Sequence, residues 1–388
     1  MSSPDFIFVY PLLGADDSWS GYRVEFAPGL PDRESLARPF SSPLLEAFDQ
    51  RHPWLLPALD GKYDAGVLTE RSVTVFSASP GSQDADALRQ LEADLRRNKR
   101  QVALKASPEA KLPGAGSWDY LLIGSSHARS LPPYTLIGMA SRTKLVATDV
   151  LTHNDRSWIL SNACILSTSE FLSTRSAPNT KADITRMKLL KLLTLIADDA
   201  DTGLLDSIFR EEPKLAYSLM RLVNSAALSP GSPITSFNQA INLLGRRQLQ
   251  RWLQLLVYSD PNNGQHPNPL LQKAAARGRL FELLTRQIVP AENLADSAFM
   301  VGTFSLLDVL LGMSMPEILR QLPLPEIAQN ALLEQKGALG DLLAIITAVD
   351  KHELEAASGR LMALGINGDD YFEAQLEAFG WAAKIHTT

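Results

Sequence analysis

The hydrophobic pattern changes period once along the chain, and that change limits the fold more than any other feature. Up to about residue 175 short β-rich runs alternate with polar or helical intervals, whereas beyond residue 181 apolar residues recur at three- and four-residue steps. The candidate strands are residues 6–12, 21–26, 72–77, 101–105, 120–124, 134–139, 144–150 and 162–166. Such regular spacing reads as a mostly parallel sheet or a barrel. Between two of these strands, residues 85–99 place Leu88, Leu91 and Leu95 at helical spacing, with acids early and cations late to suit the helix dipole. That is one βαβ unit.

At 388 residues the chain is too long for one ordinary compact domain. Residues 173–181 lack a periodic apolar pattern and carry a Pro-Asn turn signal, so the boundary falls there, between an α/β domain over 1–175 and an all-helical domain over 182–388. In the second half Ile184, Met187, Leu190 and Leu193 form an apolar stripe. Pro213 precedes Leu215, Leu219, Leu222 and Val223 as a first-turn proline should. Gly245 closes a helix over 236–244, and further helices are expected at 247–258, 269–288, 295–311, 337–349 and in the tail.

Charge excludes some partners. Lys plus Arg against Asp plus Glu is 18 to 20 up to Thr180 and 19 to 23 after it, for a net −6, so neither half is a polybasic module, and nucleic acid is not an expected partner. The single cysteine, Cys164, lies in an apolar stretch with no basic neighbour, which suits a buried inert thiol in a reducing cytoplasm. The apolar run over 301–315 is interrupted by Asp308, so no membrane span is expected.

The helical half carries a recognisable signature. Glu212-Pro213-Lys214-Leu215, Leu219 to Ala227 (LMRLVNSAA), Ile234-Thr235-Ser236 and Ala240 to Gly245 (AINLLG) resemble, in order and spacing, the core pattern of HDOD domains. Phe299 to Asp308 is similar to the later helix of HDOD proteins that carry an N-terminal EAL-like domain, the YuxH-like signal-transduction group. The first half has an ordered likeness to the EAL fold, a TIM-type barrel of cyclic di-GMP phosphodiesterases. Its carriers are Val9 to Leu12, Gly21 to Phe26, Val102 to Lys105, Asp119 to Gly124 and Leu145 to Thr152. The resemblance therefore implies a degenerate EAL-like barrel followed by a helical HDOD domain.

Metal-assisted phosphodiester hydrolysis needs several carboxylates to hold divalent ions. At the positions matching the EAL motifs stand Arg23, Lys105, Ala106, Leu122 and Leu151, and a two-residue shift would place Glu25 in the first. No His-Asp dipeptide of HD phosphohydrolases occurs, Ser305 and Leu306 stand where it would fall, and the six histidines are scattered. Phosphate-loop, nucleophile-elbow and Cys-x-x-Cys signatures are missing too. The chain is thus expected not to be an enzyme and to need no cofactor.

The expected function is a non-catalytic signal-transduction regulator that engages a signalling protein partner through its HDOD domain, with a homodimer as one arrangement. The alternative is an effector that binds cyclic di-GMP, or a related cyclic dinucleotide, in the barrel without cleaving it, with Arg23 and Lys105 contacting phosphate directly. Candidate partner or ligand contacts on the HDOD side are Asn224, Ser225, Arg246, Arg247 and Arg251. The first two are polar residues in an apolar helix, explained by cross-helix hydrogen bonds or by exposure in a groove. Arg247 and Arg251, four apart on one helix face, suit interface ion pairs or salt bridges within the chain.

Overall fold

The computed structural model describes residues 6–27, 37–59, 64–78, 84–175, 219–220, 224, 237–258, 268–289, 292–320, 322 and 324–385. The stripe beginning at Ile184 and most of the HDOD signature lie outside these residues; Leu219, Met220 and Asn224 are helical. The chain packs as two compact units, Met1–Thr174 with Asn367–Leu376, and Arg175–Ile366 with Glu377–Thr388.

In the first unit eight strands close a barrel in chain order: β1 (Ile7–Leu13), β2 (Trp19–Phe26), β3 (Trp54–Pro57), β4 (Ser72–Ser77), β5 (Gln101–Lys105), β6 (Tyr120–Gly124), β7 (Lys144–Thr148) and β8 (Cys164–Ser167). Strands β2 to β8 run parallel, and β1 is antiparallel to both of its neighbours. Because strand side chains alternate, one face of each strand fills the interior, where Leu12, Leu55, Val73, Ala103, Tyr120, Leu122, Val146 and Leu166 form one buried cluster. This is a TIM-like closed barrel, as the EAL resemblance implied.

Helix α1 (Ala85–Arg97) starts at Asp84, whose carboxylate accepts from the Asp86 and Ala87 amides, and buries Leu88 and Leu91 beside Phe76 and Val102. Helices α2 (Ser125–Ser130) and α3 (Thr135–Ala140) join β6 to β7, and α4 (His153–Ser161) joins β7 to β8.

Two strand expectations are corrected. Residues 134–139 form helix α3, with Leu136 and Met139 buried and Ile137 exposed, a three-residue spacing that a strand cannot present to one face. The missing strand is β3, a four-residue run, WLLP, following Pro53; its buried, proline-bounded sequence has no alternation to reveal it.

In the second unit the described helices are α5 (Phe237–Leu256), α6 (Pro269–Ile288), α7 (Glu292–Phe304), α8 (Leu307–Leu311), α9 (Met315–Leu319), α10 (Glu326–Glu334), α11 (Gly337–Asp350) and α12 (Leu354–Ala363). A last helix, α13 (Gly368–Ala382), ends the described chain. Gly245 holds φ at 73°, a kink within α5 that a side chain would resist. The window Leu294–Leu311 is long and apolar enough by composition to cross a membrane, yet 56% of it is buried within the fold and residues 305–306 split it into α7 and α8.

Candidate functional site

Active sites of TIM-like barrels lie at the C-terminal ends of the parallel strands. Strand register identifies the side chains that face this mouth. Leu12 lies in the interior opposite Gly21, so Tyr10 and the residue paired with it, Arg23, share that face two residues further on. By the same alternation Lys105 follows Ala103, Gly124 follows Leu122 and Thr148 follows Val146.

Arg23 is a half-buried charge in this layer. Its guanidinium is ion-paired to Glu25, and each side chain is 18% exposed. Burial lowers the Arg23 pKa from its ordinary value, and the negative charges of Glu170 and Asp149 oppose that shift. Lys105 is exposed at the end of β5.

Asp149, the residue after β7, has φ at 55°, a left-handed conformation that Asp tolerates better than most side chains. The Ser125 hydroxyl donates to its backbone carbonyl at 2.7 Å, and the Thr148 hydroxyl donates to its carboxylate at 3.1 Å. A Cβ on Gly124 would come within 3.0 Å of that carboxylate, so the glycine leaves it room. The Ser125 hydroxyl is therefore committed to Asp149.

Sequence reasoning found Arg23 and Lys105 and named Glu25 through a shifted alignment, but missed Asp149 and Glu170. Matching the late motif glutamate to Leu151 passed over Asp149, and the available signal was a carboxylate directly after an apolar strand, LVAT-Asp. Among the described residues no group of three or more His, Cys, Asp or Glu side chains is arranged to hold a metal ion. The acids at the mouth surround a guanidinium instead, so the residues present do not fit the paired divalent ions of the EAL resemblance.

In the helical unit, Arg247 is ion-paired to Asp296, while Arg251 donates to Glu282 at 2.9 Å and to Asp296 at 2.7 Å. Glu282 is fully buried and also accepts from Arg279 and Arg286, both at 2.7 Å. The face shared by Arg247 and Arg251 is thus joined to a charge network within its own unit. Asn224 is exposed; Arg246 lies in α5, and Ser225 lies outside the described residues.

The fold and this mouth define a two-part protein, a TIM-like barrel followed by a helical region that carries an HDOD domain, with residues 185–304 matching the HDOD domain family. Among curated proteins the chain is similar to cyclic di-GMP phosphodiesterase CdgJ of Vibrio cholerae, 29% identical over 189 residues, covering 48% of this chain and 43% of that protein. It is also similar to the uncharacterized protein YuxH of Bacillus subtilis, 27% identical over 173 residues, covering 44% of this chain and 41% of that one. These matches span less than half the length of either relative. Among solved structures it resembles Bacillus subtilis YkuI, a protein with an EAL domain in complex with substrate cyclic di-GMP and calcium. That likeness has 14% identity and a TM-score of 0.33, covering 63% of this chain and 72% of that one.

The expectation that the chain is not an enzyme does not stand, because CdgJ, named a phosphodiesterase, is 29% identical to it. The physical basis of that expectation was the loss of acids at the matched motif positions, and acids elsewhere in the mouth, Glu25, Asp149 and Glu170, still surround Arg23.

Proposed function

We propose that this protein acts in cyclic di-GMP signalling, with the barrel mouth as the seat of the cyclic dinucleotide and the HDOD unit as the part that meets a signalling protein partner. The observation that carries the first half is the half-buried guanidinium of Arg23 in the mouth layer, ion-paired to Glu25. A guanidinium has five donors in a planar fork, so an ion pair through one nitrogen leaves others for a phosphodiester oxygen. Lys105 at the end of β5 is available to the second phosphate. The similarity to CdgJ, a cyclic di-GMP phosphodiesterase, supports the choice of nucleotide. Ligand binding to the native state raises the melting temperature, so cyclic di-GMP should raise it and GMP at equal concentration should not. Equal melting temperatures with and without cyclic di-GMP would count against the proposal.

The exposure of Asn224 leaves it within reach of a partner and supports the second half. The partner is a signalling protein or a second copy of this chain. Asn224→Arg should remove the dimer or complex seen by sedimentation velocity while leaving the melting curve in place; unchanged sedimentation of a complex would remove that surface from consideration.

A further inference from the structure

Strand β1 lacks a strand partner along one edge of its first half. Its pairing with β8 consists of a single register pair, Leu13 with Ser167, so among the described residues the edge at Ile7 and Val9 has no neighbouring strand on that side. The side chain of Gln375, from residues 367–376 of the same unit, fills the gap. The Val9 amide donates to Gln375 Oε1 at 3.0 Å, and Gln375 Nε2 donates to the Ile7 carbonyl at 2.8 Å. One carboxamide thus reproduces the donor and acceptor of a neighbouring strand, from a side chain 2% exposed and 366 residues away from Val9.

The surrounding contacts fix this seat. The Tyr371 ring lies 6.3 Å from Phe6 and 5.5 Å from Phe8, Phe372 meets Phe40 edge-on at 5.8 Å, and Asp369 is ion-paired to Arg38. The residues on either side of Val9 are the cross-strand partners of the site: Phe8 is in register with Glu25, and Tyr10 with Arg23. A shift of β1 at Val9 therefore moves the strand against which the ion pair is set.

We propose that Gln375 is a positioning residue for the Arg23–Glu25 pair, acting through the edge of β1. Its importance for binding rests on the nucleotide reading above, but its effect on β1 and Arg23 is measurable without nucleotide. Gln375→Met keeps length and much of the packing while removing both hydrogen bonds. In the full chain, amide exchange of a peptide spanning Ile7 to Leu13 should accelerate roughly tenfold, as expected when two buried hydrogen bonds are lost, with β4 to β7 unchanged. In the same variant the Arg23 Nε–H resonance should move, while that of Arg156, whose guanidinium is bound to Asp17, stays fixed as an internal reference. Gln375→Glu, which can still accept from Val9, should fall between wild type and Gln375→Met in exchange rate. Unchanged exchange in β1, uniform acceleration over all strands, or an unmoved Arg23 resonance with faster β1 exchange would each overturn the positioning role. If these signals move as expected while cyclic di-GMP leaves the wild-type melting temperature unchanged, the nucleotide reading fails and the positioning of Arg23 stands.

Discussion

Asp155 closes the start of α4 twice over. Its backbone N–H donates to the Thr152 hydroxyl at 3.1 Å, while its carboxylate accepts from the Thr152 amide at 3.1 Å and from the Thr152 hydroxyl at 2.8 Å. The hydroxyl bond holds the carboxyl below its ordinary pKa; burial, the next largest effect, opposes it, and Arg129 adds to the lowering. A depressed carboxylate stabilises the fold at pH values above the ordinary carboxyl range, and loses that contribution as the pH falls through its lower folded value. Asp155→Ala should therefore cost about 1 kcal/mol in urea unfolding at pH 7, the usual worth of a cap. The gap should narrow as the pH drops below about 4. A gap that is constant with pH would mean that the charge contributes nothing. Cys164 illustrates a residue whose chemistry was readable in advance: burial pushes its thiol up to about 12, so it stays protonated and inert at neutral pH, as its apolar surroundings in the sequence implied.

Helices α6 and α7 approach closely at two glycines. A Cβ on Gly302 would fall 2.6 Å from the Arg277 carbonyl oxygen and 2.9 Å from Gly278 Cα, and one on Gly278 would fall 2.4 Å from the Thr303 hydroxyl. Backbone cannot yield as a flexible side chain can, so Gly302→Ala should destabilise the protein by about 1–3 kcal/mol, read as a lower urea midpoint at an unchanged slope. An unaltered midpoint would show that the crossing relaxes at no cost. At this scale the sequence was legible wherever period and punctuation agreed. The helix at residues 269–288 is observed at those bounds, Gly245, expected to close a helix, instead takes a left-handed φ at a kink inside α5, and α1 begins at an acid and ends in cations. Legibility failed where a run was too short or too uniformly buried to show a period: β3 is four residues, all buried or half-buried, and α3 is only six residues long. The short helices α9 and α10 also escaped notice, although Ser314 and Glu317 form a capping box ahead of the first.

Across the whole molecule, the closed barrel and the helical HDOD region were both foreshadowed by the change of hydrophobic period and by ordered motifs. The candidate site was only half legible. Arg23 and Lys105 stood out because cations replaced expected acids, whereas Asp149 and Glu170 converge on Arg23 only once β2, β7 and β8 share a barrel mouth. Gln375 was not legible at all, since no local pattern marks a glutamine in a late helix as the partner of a strand 366 residues earlier. Whether Arg23 anchors a cyclic dinucleotide in the mouth is tested by a paired calorimetric titration of the wild-type chain and Arg23→Met with cyclic di-GMP in Mg²⁺, each sample then chromatographed for cleavage products. The expected result is saturable binding by the wild type and a loss of about tenfold or more in affinity for Arg23→Met, the worth of a hydrogen bond to a charged group. Products would add turnover to that binding. Equal affinity of the two proteins, or no binding by the wild type, would contradict the anchoring role.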